Sequence, residues 1–112
     1  MMDAGLTQAD IRLILGAIKQ FPEIHEALIF GSRAKGTYKK GSDIDLAIKG
    51  KAVSSETIHR LSFLLNEELP LPYFFDVVHY ETIENQTLIE HIDRIGTPLF
   101  SYLQKNDSFS HN

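Results

Sequence analysis

Residues 26–31, EALIFG, form an apolar run too short for a helix and too hydrophobic for a surface loop, which leaves a buried strand ending at glycine. Whatever surrounds that strand must cover it, so the chain is committed to a sheet with packing elements around it. A second strand follows in SDIDLAIKG, residues 42–50. Its alternation sets Asp43, Asp45 and Ala47 on one side and Ile44, Leu46 and Ile48 on the other, the period-two pattern of a strand with one polar side. PYFFDVVHY, residues 72–80, reads as a third strand.

Helical spacing fills the intervals. In residues 6–22, Thr7 and Asp10 have the pattern of a capping box, Ile11, Ile14, Leu15 and Ile18 share one side, and Pro22 stops the run. Residues 54–70 open on serine, place Ile58, Leu61, Leu64 and Leu65 together and end at Pro70. From Glu81 to Arg94 the spacing of Leu88, Ile92 and Ile95 predicts a third helix, closed by Gly96 and Pro98. A short extended piece, PLFSYL, is expected after it. The order helix, strand, strand, helix, strand, helix predicts an α/β fold, a small mixed β-sheet with helices packed on it. Strand pairing stays open. We expect one domain over residues 1–106 and a disordered polar tail over 107–112.

Composition narrows the functional classes. A formal charge of −4 argues against a general nucleic-acid binder, which needs a basic excess to replace phosphate counterions. Yet six of the eleven Lys and Arg residues fall between Arg33 and Lys51, so positive charge gathers around the second strand. The absence of cysteine excludes a disulfide framework and a zinc ribbon, and points to the cytoplasm. The opening MMDAGLTQAD has no leader pattern, and no apolar run approaches the ~18 residues of a membrane span. Leu71, Tyr73 and Phe100 are apolar residues open to either an interface or core packing.

The chemistry concentrates in IFGSRAKGTYKKGSDIDLAIKG, residues 29–50. Two aspartates separated by one strand residue have Cα atoms about 6.5 to 7 Å apart and side chains on the same face, so their carboxylates can converge on cations. Magnesium suits such a pair, because it takes oxygen ligands and keeps positions for water and substrate phosphates. Asp76, set among Phe74, Phe75, Val77 and Val78, is a third acid that needs compensation if buried. Gly31-Ser32 ends a strand where backbone N–H groups can meet an anion, and Arg33 or Lys40 could neutralise outer phosphates. Each feature alone has a plainer reading: a solvated basic loop, a strand-end aspartate bonded to backbone, an ordinary turn. A Walker loop is excluded because Thr37, not Lys, follows Gly36, and an EF-hand starting at Asp43 because Ile48 and Ser54 occupy its glycine and glutamate positions. The five histidines form no H-E-x-x-H pattern, and only His79 is close in sequence to the acids.

GSRAKGTYKKGSDIDLAI, with Gly-Ser, ten residues and then Asp-x-Asp, resembles the signature of the nucleotidyltransferase superfamily that includes DNA polymerase beta. It is most similar to the minimal nucleotidyltransferase (MNT) group, the MntA-like antitoxins, over about Leu28 to Val78. The resemblance implies a polymerase-beta-like nucleotidyltransferase fold. It implies that Gly31 and Ser32 hold the β- and γ-phosphates of ATP or another NTP, with Arg33, Lys40 and Ser42 in the nucleotide-binding set. It implies that Asp43, Asp45 and Asp76 are the catalytic and metal-binding residues, serving two Mg²⁺ ions, with Asp76 as proton acceptor. Proteins of the group neutralise a small helical HEPN-type toxin, some by transferring AMP to a toxin tyrosine.

Three functions therefore compete: nucleotide transfer to a HEPN-type partner in a hetero-oligomer, a catalytically silent nucleotide-binding subunit that caps that partner, and transfer to a small molecule. The last needs a second domain that this chain lacks room for. Neither a nucleic-acid nor a membrane partner is expected.

Overall fold

The computed structural model describes residues 4–39 and 41–99. Helix α1 (Gln8–Ile18) begins at a formed capping box: the Thr7 hydroxyl accepts from the Asp10 amide at 3.0 Å and the Asp10 carboxylate accepts from the Thr7 amide at 3.2 Å. Strand β1 (Glu26–Phe30) leads through a one-turn helix α2 (Ser32–Lys35) and a loop to β2 (Ile44–Lys49). Helix α3 (Ser55–Phe63), capped by Ser54, passes into a π-helical turn (Leu64–Glu68) before β3 (Phe75–His79). A 3₁₀ turn (Tyr80–Thr82), α4 (Gln86–Ile95) and a two-residue strand β4 (Thr97–Pro98) follow.

The four strands form one mixed sheet in the order β3-β2-β1-β4. β1 lies antiparallel to β2 and to β4, whereas β2 and β3 run parallel. A parallel neighbour needs a long crossover, which α3 and the π-helical turn supply. β1 is apolar from Ala27 to Phe30 because both of its sides are covered. Ala27 and Ile29 join the larger core with Ile11, Ile14, Leu15 and Ile18 of α1 and Leu61 of α3, while Leu28 and Phe30 pack with Ala47 and Ile92 under α4. No helix among the described residues is long and apolar enough to cross a membrane.

Two expectations change. The side of β2 expected to be polar carries Asp45 at its open end, but Ala47 is buried there, because α4 roofs that part of the sheet. The third helix starts at Gln86 rather than Glu81: Asn85 caps it, its side chain accepting from the Leu88 amide at 3.1 Å, and Tyr80–Thr82 turn separately. Of the residues left open between an interface and core packing, Leu71 and Tyr73 pack against the core, and among the described residues the large exposed apolar side chains are Phe63 and Phe74. Of the expected extended piece, Pro98 belongs to β4. Leu99 follows it, buried in the larger core, whereas Phe100, the remainder of that piece and the tail at 107–112 lie outside the described residues.

β3 is an edge strand, and Asn66 blunts part of its edge. From the π-helical turn, the Asn66 amide donates to the Phe75 carbonyl at 3.0 Å and accepts from the Phe75 N–H at 2.7 Å, completing that residue's backbone bonds. Asn66→Ala leaves both groups of the buried Phe75 without that partner, at roughly 1–3 kcal/mol for each stranded group. The expected outcome in urea denaturation is an unfolding free energy lowered by at least that of one group, seen as a lower midpoint at unchanged slope; an unchanged midpoint would show that the bracing contributes nothing to β3.

Candidate active site

The site grows from the end of β1. After Phe30 the chain must leave the sheet sharply, and Gly31 does so at φ 76° and ψ −153°, a conformation closed to residues with a side chain. A Cβ there would also run into the Asp45 carboxylate. Glycine is thus required twice over, and its smallness brings the Gly-Ser turn against Asp45. The Gly31 carbonyl accepts from the Lys35 amide at 3.1 Å and the Ser32 carbonyl from the Thr37 amide at 3.0 Å, which fixes the far side of the turn.

Asp45 reaches the same place from β2, where it pairs with Phe30 on one side and with Asp76 on the other. Residues paired across parallel strands project to the same face, so Asp45 and Asp76 share one, and Asp43, two residues earlier, joins them by the period of the chain. Asp43 and Asp76 are exposed, Asp45 half-buried. Burial pushes the Asp45 carboxyl above the usual aspartate range, and the negative charges of Asp76 and then Asp43 push it further. No hydrogen bond or ion pair from the described residues engages the three carboxylates.

That donor set fits magnesium: acidic oxygens on one face, mutually repelling, with an anion-compatible turn alongside. No group of three His, Cys, Asp or Glu side chains among the described residues forms a ready-made cage for an ion. Magnesium typically takes one or two carboxylates and completes its shell with water and phosphate oxygens, so a full cage is not what its chemistry demands.

The basic loop is arranged differently from its sequence pattern. Arg33 is buried, and its guanidinium donates to the Ala4 carbonyl at 2.7 Å and to the Ser42 carbonyl at 2.9 and 3.2 Å. It stacks between Tyr38 and Tyr73, 4.8 and 4.9 Å from the ring centroids. Arg33 therefore holds the loop to the N-terminal segment, where five donors in a rigid fork serve better than a mobile lysine. The Ser42 hydroxyl accepts from the Lys39 amide at 2.8 Å within the loop. Lys40 lies outside the described residues.

His79, near Asp76 in sequence, projects to the other side of the strand from it: its Nε2 lies 3.2 Å from both the Gly50 carbonyl and a Glu81 carboxylate oxygen. The histidine that does reach the site is His91 of α4, whose Nε2 accepts from the Gly31 N–H at 3.2 Å. Nothing local in the sequence marks it, since the contact spans 60 positions.

The family model for polymerase beta nucleotidyltransferases matches residues 13–105. No curated protein sequence matches the chain. Among solved structures, a chain of a toxin-antitoxin with AMP-PNP is similar at 19% identity and a TM-score of 0.68, over 88% of this chain and 93% of that one. A chain of the toxin-antitoxin MntA-HepT is similar at 16% identity and a TM-score of 0.63, over 91% and 93%. The tri-AMPylated HEPN toxin of Shewanella oneidensis in complex with its MNT antitoxin contains a third, at 16% identity and a TM-score of 0.64, over 92% and 93%. At these identities the likeness is one of fold.

The raised Asp45 carboxyl fixes the sign of a pH effect. Between its unfolded and its higher folded pKa the native state binds more protons, so stability falls as pH rises through that window and stays lower above it. Asp45→Asn is expected to flatten that slope and to raise the melting temperature at neutral pH without divalent ions. Added magnesium should then stabilise the wild type and leave the variant unmoved. A variant less stable than wild type at pH 7, or equally responsive to magnesium, would contradict the charge cluster.

Proposed function

The chain belongs to the polymerase beta nucleotidyltransferase family, and from that premise we propose that it is a magnesium-dependent nucleotidyltransferase that moves AMP from ATP to a tyrosine hydroxyl of a small helical HEPN-type partner, acting as its antitoxin. The observation that carries this reading is the pairing of Asp45 with Asp76 across β2 and β3, directly against Gly31. The structural neighbours that include AMP-PNP and an AMPylated HEPN toxin support the choice of nucleotide and acceptor.

Each residue has a task. Gly31 lets the triphosphate approach the backbone, and the Ser32 hydroxyl donates to its β- or γ-phosphate oxygens. Arg33 and Ser42 keep the loop shaped around that end, and Lys40 is the cation assigned to the outer phosphates. Asp43 and Asp45 would hold two magnesium ions, with Asp76 completing the shell of one. Bound magnesium neutralises the triphosphate and makes the acceptor hydroxyl more acidic. Asp76 takes the proton as the acceptor oxygen bonds to the α-phosphorus, while the bond from that phosphorus to the pyrophosphate oxygen breaks. A groove of about 490 Å³ between α3 and the outer edge of β3, lined by Ser55, Ser62, Phe74, Val77 and His79, reaches Asp76 at that edge.

Incubation with α-labelled ATP, magnesium and a small helical HEPN-type partner protein tests the reading. Label should appear on a partner tyrosine and fall to background with Asp45→Asn or Asp76→Asn. Nucleotide binding without transfer would favour the silent capping subunit, and transfer surviving in both variants would overturn the site.

A further inference from the structure

His91 is used by none of the steps above, yet it is joined to the first residue of the Gly-Ser turn. Its Nε2 accepts the Gly31 N–H at 3.2 Å, and its ring meets Phe30 edge-on with centroids 6.0 Å apart. For Nε2 to accept, the neutral imidazole must carry its proton on Nδ1.

Gly31 has the least restraint of its own, because without a Cβ it is free to leave the φ 76° conformation that the turn requires. Its carbonyl is tied locally by the Lys35 amide, and its N–H is tied from α4 by His91. Releasing the second tie lets the Phe30–Gly31 peptide rotate. Rotation would carry the Ser32 hydroxyl with it and alter the close approach between Gly31 and the Asp45 carboxylate.

We propose that His91 is a positioning residue for nucleoside triphosphate binding: by holding the Gly31 amide it presents the Gly-Ser turn to the phosphates already shaped, without touching them itself. This role rests on the nucleotide-binding reading above. Because α4 also roofs Ala47 and Phe30 through Ile92, the same helix that closes the second core sets the geometry of the turn.

Calorimetry with Mg-ATP on the wild type, His91→Phe and His91→Gln tests it. Phenylalanine keeps a ring against Phe30 but removes the acceptor; glutamine returns an acceptor oxygen near the place of Nε2. The Kd should rise roughly three- to ten-fold in His91→Phe, the worth of one hydrogen bond, and return most of the way in His91→Gln. In the transfer assay KM for ATP should follow the Kd while kcat at saturating ATP stays put in both. On the wild type alone, a ¹⁵N–¹⁵N coupling through the hydrogen bond from Gly31 to His91 should persist when Mg-ATP is added. Equal affinity in His91→Phe, equal weakening in both variants, or loss of the coupling on binding overturns the role of His91 alone. Failure of the wild type to bind Mg-ATP overturns the nucleotide reading and this role with it.

Discussion

The parallel pairing of β2 with β3 is the constraint on which the site depends. Neighbouring strands lie about 4.8 Å apart, so aligning Asp45 with Asp76 places two carboxylates side by side, with Asp43 two residues along the same face. Burial, and then repulsion from the charges of Asp76 and Asp43, make the half-buried Asp45 a carboxyl that resists ionisation. A register slipped by one residue would send one acid to the opposite face and abolish the cluster. What fixes the register is the apolar partner set: Ile44, Leu46 and Phe75 are buried in the larger core and permit no slip.

Coverage of the sheet decides where chemistry can occur. The side facing α1 and α3 is sealed by large aliphatic residues. The other side is sealed only as far as α4 extends, over Leu28, Phe30, Ala47 and Val78, so the ends of β1, β2 and β3 that carry Gly31, Asp45 and Asp76 stay accessible. The turn between β1 and α2 is held by its own backbone bonds, by Arg33 through the loop and by α4 through His91. A flexible glycine is thus set within a stiff surround, the usual condition for a loop that must meet a ligand in one geometry.

How much of this was legible in the sequence follows the range of each interaction. The Thr7–Asp10 box and the Ser54 cap act within one helical turn, and their patterns sit in adjacent letters. The shared face of Asp43 and Asp45 follows from strand periodicity, and the Gly-Ser and Asp-x-Asp spacing pointed to the family. The Asn85 cap was equally local but obscured by the run of turn residues before it. Strand order and the Asp45–Asp76 pairing are tertiary and leave no local pattern. Arg33 reads as a phosphate cation beside other basic residues, and only folding reveals that Ala4, Tyr38, Tyr73 and the Ser42 carbonyl surround it. His91 is invisible for the same reason: its partner lies a whole sheet away in sequence.

The central claim, that three acids and the Gly-Ser turn form one ion- and phosphate-binding place, is tested most directly by paramagnetic broadening. Manganese titrated into ¹⁵N-labelled protein with ATP should broaden the amides of Gly31, Ser32 and residues 43–46 and 75–77 before any others. Broadening that begins elsewhere, or that reaches Asp43 and Asp45 while sparing Asp76 and Gly31, would contradict it.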